Sequence, residues 1–318
     1  MYTQGWEPNP AATEAFVARL PRVYGDQVEE LIAQDDGADA LNYRALASCL
    51  AKEPSLAHWL DKRDGVNCVV SRQQGNIGSC VGAAEARLLD VLAAFEIMAG
   101  DREEFLACFS HEGLYGLGRE KGNMLRPGDG LYGSAIAEAV SQWGTLHELV
   151  YGDIDLREYS PTRCRDYGRR GVGTTLKTIA GEHKVGHVTR VTRAEQGWAL
   201  LGSGYPINMC SSLGWVGNRD SEGIIRRRGS WMHSMAVTSR RTTKDGARIV
   251  LVHQSWPLSW AKGPYWEDMP WGSFWIHLAD FDAALRQGDS FAHSSYDGFK
   301  KRSLPDLGFT FTSPRKDK

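Results

Sequence analysis

The stretch Gln73-Gln74-Gly75-Asn76-Ile77-Gly78-Ser79-Cys80, followed at once by the apolar-periodic run Val81 to Met98, decides how the chain is read. Two glycines and a serine deliver a thiol to the first position of a long predicted helix. A helix N-terminus carries partial positive charge and unpaired N–H groups, so it favours thiolate over thiol and can lower a cysteine pKa from ~8.5 to about 3.5–7.5. On this reading Cys80 is a nucleophile; the alternative is a buried cysteine packed as a small hydrophobe. The helix after it carries Val81, Ala84, Leu88, Leu89, Leu92, Ala93, Phe95 and Ile97, apolar over enough of its circumference to be largely buried.

The chain has 318 residues, of which 42% are hydrophobic, enough for one large domain or two ordinary ones. A net charge of −2 argues against a protein that coats nucleic acid, and no specific nucleic-acid partner is expected. The N-terminus lacks a basic segment followed by an apolar one, and no stretch of about 18 apolar residues occurs, so neither a standard export signal nor a membrane span is expected. The six cysteines, Cys49, Cys68, Cys80, Cys108, Cys164 and Cys210, form no Cys-x-x-Cys pair and no disulfide framework, which suits reduced thiols in a cytoplasm. No cofactor is expected. His183 and His187 are spaced four apart but fall on a predicted strand, so no metal site is assigned.

Along the chain, Asn9-Pro10 predicts a capped helix continuing to Leu20, with further helices near Asp26 to Gln34 and Ala40 to Lys52. Gly65 to Val70 predicts a short strand. Gly128-Asp129-Gly130-Leu131-Tyr132-Gly133-Ser134-Ala135 precedes a helix over Ile136 to Trp143. Leu146 to Tyr151 is a candidate strand, and Arg163 to Arg170 a charged surface segment. Lys184 to Arg193 alternates as a half-buried strand does, and Ala194 to Gly202 is helical. Ser212 to Ser230 is glycine-rich and holds Arg226-Arg227-Arg228, which predicts a solvated basic loop. Strands are expected at Trp231 to Val237, Arg248 to Trp256 and Trp271 to Ile276, then a short helix over Leu278 to Leu285. From Gln287 the chain turns polar and ends basic, as a surface-lying or mobile tail does.

Gln74 through Cys80 resembles the motif of papain-like cysteine peptidases, Gln-Gly-x-x-Gly-Ser-Cys. Three later stretches resemble that family in the same order: the Gly130 to Ala135 loop, His233 opening a small-apolar strand, and Gln254-Ser255-Trp256. The resemblance spans roughly residues 65 to 285. It implies Cys80 as nucleophile, His233 as its base, Gln74 as a donor to the oxyanion, and Gly130, preceded by Asp129, as the edge that binds substrate backbone. Trp256 would shield the histidine. Two positions depart from the family pattern: Asp129 replaces a glycine, and Gln254 replaces the asparagine that orients the imidazole.

The implied fold is α+β and papain-like: a helical subdomain built on the central helix from Cys80, packed against an antiparallel β-barrel-like subdomain, with a helical N-terminal extension. The expected divisions are an extension over residues 1–63 and a papain-like domain over 64–288, helical to 182 and mainly β from 183. A basic tail would fill 289–318. The implied activity is hydrolysis of a peptide or protein substrate in the cytoplasm or in a particle assembled there. The alternative is an inactive structural module, for instance of a viral particle, that docks through the Arg226–Arg228 loop or the tail. Whether residues 1–63 act as an inhibitory pro-segment is open at this level, since the family's usual pro-segment pattern is absent from them.

Overall fold

A computed structural model of the chain describes residues 4–63, 66–101, 105–265, 268–295 and 298–304. Three helices come first, α1 (Pro10–Val17), α2 (Arg22–Ala33) and α3 (Tyr43–Lys52). The Asn9 side chain accepts the Ala12 N–H to cap α1, and Pro10 sits in the first turn, where a missing N–H is no loss. A 3₁₀ turn then leads to the hairpin of β1 (Leu60–Arg63) and β2 (Val66–Val69).

The helical half holds α4 (Cys80–Met98), α5 (His111–Lys121), α6 (Gly133–Gln142), the small hairpin β3 (Val150–Tyr151) and β4 (Ile154–Asp155), α7 (Pro161–Arg170) and α8 (Thr174–Ala180). The β half holds β5 (His187–Arg190), α9 (Ala194–Gly202), β6 (Ile207–Trp215), β7 (Arg227–Thr242), β8 (Arg248–His253), β9 (Ser273–His277), α10 (Leu278–Leu285) and β10 (Phe291–Ser294). Its strands form one sheet in the order β5-β10-β6-β7-β8-β9, antiparallel throughout. Helix α4 lies between the halves and packs on α3, α5, β6 and β7. Every residue from Cys80 to Glu96 is buried, as the apolar circumference predicts.

Four sequence expectations are corrected. Arg163 to Arg170 is helix α7, capped by Ser160, and it buries Cys164 and Gly168. Of Leu146 to Tyr151, only Val150–Tyr151 pairs as a strand. The expected loop over 212–230 is shorter, because β6 runs to Trp215 and β7 opens at Arg227, opposite Trp215; Arg226, Arg227 and Arg228 are exposed. The expected tail over 289–318 is in its first part a structural element: β10 is inserted between β5 and β6. A strand covered on both faces does not alternate polar and apolar residues, so Phe291-Ala292-His293-Ser294 carries no strand period to read. Lys301 and Arg302 pack back through Asp36 and Asp101, while residues 305–318 lie outside the described residues.

A buried ion cluster fixes the approach to the Gln73–Cys80 stretch. Arg72 donates to Asp90 of α4 at 2.7 Å and to Glu148 at 2.8 Å, and lies 4.6 Å over the Trp59 ring. Asp90 also accepts the Phe109 N–H at 2.8 Å. Removing one partner from such a cluster strands the other charges without water. Arg72→Met is therefore expected to lower the unfolding free energy by about 3–5 kcal/mol in urea titrations, and a loss below ~1 kcal/mol would contradict this assignment.

Candidate active site

The loop from Ser71 to Ser79 is held from both halves of the molecule. Ser71 N–H donates to Trp271 C=O at 3.0 Å and Gln74 N–H to Ser255 C=O at 2.7 Å, both in the β half. From the helical half, Tyr159 Oη donates to Gln74 C=O at 2.9 Å, and the Asp129 carboxylate accepts Gly78 N–H at 3.0 Å. Ser79 precedes α4 but its hydroxyl does not cap the helix. It bonds His111 Nε2 at 2.9 Å instead, and the His111 ring stacks on Tyr159 at 4.5 Å. The thiol of Cys80 thus starts α4 from a braced turn.

Gln74 is fully buried. Its amide nitrogen donates to Ile77 C=O at 2.6 Å and its amide oxygen accepts from Ser255 Oγ at 2.6 Å. The Gln254-Ser255-Trp256 stretch therefore reaches the Gln74 loop through Ser255. Gln254 does not orient His233: its oxygen accepts Trp256 N–H at 3.1 Å, and its amide nitrogen has no partner among the described residues. The carboxamide folds back on the backbone two residues on, as shorter polar side chains do in turns.

His233 sits on β7 opposite Ser211, fully buried. Trp256 stacks on its ring at 4.5 Å and Trp231 stands edge-on at 6.0 Å. Neither ring nitrogen has a hydrogen-bond partner among the described residues. Burial pushes the imidazole pKa down to about 3. Burial likewise pushes the Cys80 thiol up to about 12, against the backbone N–H groups of Ser234, Val81, Gly5 and Cys80 itself, which favour the thiolate. Both groups are neutral near pH 7. The lowered thiol pKa expected at a helix start is absent, because desolvation outweighs the helix end.

What lies against Cys80 is the N-terminal segment. Gly5 and Trp6 N–H groups both donate to Met232 C=O, at 3.1 and 3.3 Å. Leu131 N–H donates to Gly5 C=O at 2.8 Å and Glu7 N–H to Leu131 C=O at 3.0 Å, a parallel pairing of Trp6 with Leu131. The Gln4 side chain accepts Met232 N–H at 2.8 Å. Gly5 passes so close to the motif that a Cβ on it would lie 2.1 Å from Gly78 O. The Trp6 side chain is buried and its indole N–H donates to Asp289 Oδ2 at 2.8 Å.

The remaining expected residues sit around this segment. Gly130 is not the backbone edge that faces the cleft: its N–H goes to Tyr115 Oη at 2.9 Å and its C=O takes Arg119 at 2.7 Å. Leu131, one residue on, is the residue that pairs with the N-terminal segment. Gly130 keeps a steric role, since its φ of +112° suits glycine and a Cβ there would meet Glu7 Oε1 at 2.4 Å. Asp129 binds the motif loop instead of substrate backbone. Gly5, Trp6, Ser255, His111 and Asp289 escape sequence reading, and only Ser255, inside the Ser-Trp pair, carried any signal. His183 stands edge-on to His147 at 5.1 Å while His187 bonds Tyr24 Oη, so the two face different partners.

No protein-family model matches the sequence, and no curated protein does. Solved structures do. Xylellain, a cysteine protease from Xylella fastidiosa, superposes with a TM-score of 0.54 at 14% identity, covering 93% of this chain and 97% of its own. The bromelain protease of Ananas comosus, in complex with the E64 inhibitor, aligns over 72% of this chain and 94% of its own at 13% identity and a TM-score of 0.45. With its buried helix from Cys80 set against an antiparallel sheet that carries His233, the chain has the papain-like cysteine-protease fold, in a divergent form.

Proposed function

We propose that the chain is a thiol-dependent peptide or amide hydrolase in which Cys80 is the nucleophile, His233 its base and Gln74 an oxyanion donor. One observation carries this reading. The Cys80 sulfur, at the start of a buried helix, faces the backbone N–H of Ser234, the residue after His233. That contact with the chain neighbour of His233 is what supports pairing the two as nucleophile and base.

The chemistry runs as acyl transfer. His233 takes the thiol proton and the thiolate attacks a peptide carbonyl carbon. The resulting oxyanion is stabilised by the Gln74 amide and the Cys80 N–H, with Ser255 fixing the Gln74 side chain. His233 then protonates the leaving amine, and water hydrolyses the thioester. Trp256 and Trp231 hold the imidazole plane by contact, in place of a hydrogen-bonded orienter. The pair becomes charged only after the Gln4–Glu7 segment leaves and water reaches it, so the form described is latent. Peptide substrate would be met in a cytoplasm or a cytoplasmically assembled particle.

The folded-back Gln254 amide favours a second reading, a catalytically inactive papain-like module that docks in an assembly through exposed Arg226–Arg228 or the basic tail. Hydrolysis separates the two. Any side chain at position 5 collides with Gly78, so Gly5→Val is expected to displace the segment in the full chain while leaving Cys80, His233 and Gln74 unchanged. In that background Cys80→Ala should abolish cleavage of a fluorogenic peptide library, and Gln74→Ala should lower kcat about 100- to 1000-fold. Equal hydrolysis in both variants, with native circular dichroism, sinks the peptidase reading.

Latency has its own test. All six cysteines are buried, and a Cys80 pKa near 12 leaves almost no thiolate at pH 6. Mass-spectrometric mapping of iodoacetamide adducts should find Cys80 unmodified at pH 6 in the native chain, its rate climbing only above about pH 9. In Gly5→Val the thiol should label at least about tenfold faster than the other five at pH 6. Fast labelling of the native chain would remove latency.

A further inference from the structure

The Gln4–Glu7 segment does more than cover Cys80, because it inserts one side chain into a built pocket. The Trp6 indole is buried, and its pocket ends in Asp289, which is 4% exposed. Asp289 is already engaged when Trp6 reaches it. Oδ2 accepts Gly133 N–H at 2.6 Å and Oδ1 accepts Ser134 N–H at 2.8 Å, at the start of α6. Oδ1 also accepts Thr13 Oγ1–H at 3.0 Å, and Trp6 Nε1–H completes Oδ2 at 2.8 Å. The helix N-terminus offsets the carboxylate charge, so the last position on Oδ2 suits a neutral N–H donor and has no need of a second full cation.

The pocket adjoins the cleft edge that any extended peptide beside Cys80 must use. Trp6 is the residue whose backbone pairs with Leu131, and Met232 C=O, next to His233, takes its N–H. The wall does not depend on the segment. Thr13 belongs to α1, which is anchored separately by Thr13 to Ser134 at 2.9 Å and by Phe16 against Phe291 at 5.7 Å. Withdrawal of residues 4–7 leaves Asp289 in place, still bonded to Gly133, Ser134 and Thr13, with one acceptor position open on Oδ2.

We propose that the Trp6 pocket is a substrate side-chain subsite selective for tryptophan, with Asp289 its specificity-determining residue and Trp6 its resident occupant in the latent form. The inference rests on the cleft beside Cys80 being a peptide-binding cleft, as the hydrolase reading requires. An indole fills the volume that Trp6 fills and supplies the N–H that Asp289 Oδ2 accepts. Phenylalanine or leucine would leave that carboxylate oxygen without its partner and without water, which is how a buried acceptor discriminates.

The test is binding, so that it does not depend on catalysis. Fluorescein-labelled peptides of the form Ala-Ala-Xaa-Ala-Ala are titrated by anisotropy into full-length Gly5→Val/Cys80→Ala protein, with Xaa as Trp, 1-methyltryptophan, Phe, Leu or Arg. The Trp peptide should bind at least about tenfold tighter than its 1-methyl, Phe and Leu counterparts, since a hydrogen bond to a charged acceptor is at stake. Asp289→Asn should shrink the gap between Trp and 1-methyltryptophan. The ligand-side comparison stands even if that variant folds poorly. Equal affinity of Trp and 1-methyltryptophan, or no binding by any peptide, overturns the proposal, and tighter binding of Arg than of Trp makes the pocket a cation subsite and overturns it also. Retained Trp selectivity with no hydrolysis in the Gly5→Val protein would remove the peptidase reading and leave this one standing.

Discussion

Helix α4 is buried along its length yet carries Glu85, Arg87, Asp90 and Glu96, and the need to pair those charges governs what must dock around it. An unpaired buried charge costs several kcal/mol, so each demands a partner from another part of the chain. Glu85 takes Asn208 of β6 at 2.7 Å and His293 of β10 at 2.8 Å. Arg87 donates to Val70 C=O at 2.7 Å, and Asp90 binds Arg72, so both pin the segment that enters the Gln73–Cys80 turn. Glu96 accepts Ser295 N–H at 3.2 Å and faces Arg302 at 3.8 Å. One helix thereby collects the loop before it, the centre of the sheet and the C-terminal residues into a single body, and Cys80 stands at its N-terminus.

That dependence explains which parts of the fold were legible in the sequence. The burial of α4 and the position of Cys80 follow from local pattern, as does the helix and strand order through α9, β6 and α10. What failed was of another kind. The strand β10 is four residues long and covered on both faces, and what holds it is its pairing with β5 and β6, both far earlier in the chain, so no window of sequence contains the reason for it. His233 and Gln74 could be named because the spacing around them resembles a known motif. The fate of Gln254 could not, since a carboxamide on a longer stem can reach out or fold back, and only the packing beside Trp256 decides.

The state of the thiol turns on a comparison of magnitudes. A helix N-terminus favours an adjacent anion by about 0.3–1 kcal/mol when exposed and up to ~2 kcal/mol when partly buried. The rise of Cys80 from 9 to about 12 corresponds to about 4 kcal/mol in the opposite direction. Desolvation wins while the N-terminal segment is in place. The same geometry reverses sign once water enters, because the helix end and the Ser234 N–H remain while the desolvation is relieved. In the proposed hydrolase, coverage by this segment would thus control reactivity, with no rearrangement of α4 or β7 required.

The hydrogen bonds of the Gln4–Glu7 segment fix how its peptide groups lie beside Cys80. The group of Gly5 that faces the Cys80 sulfur is its N–H, a donor, and the Gly5 C=O is turned away to accept from Leu131 N–H at 2.8 Å. In the proposed hydrolase a scissile carbonyl would instead point its oxygen at the Gln74 amide and the Cys80 N–H. The Trp6 N–H is also committed, to Met232 C=O, so rotating the Gly5–Trp6 peptide plane toward the oxyanion donors would break bonds at both of its ends. The parallel pairing with Leu131 is therefore what holds the segment in place: it ties the Trp6 backbone to the neighbouring edge while the indole is fixed on Asp289.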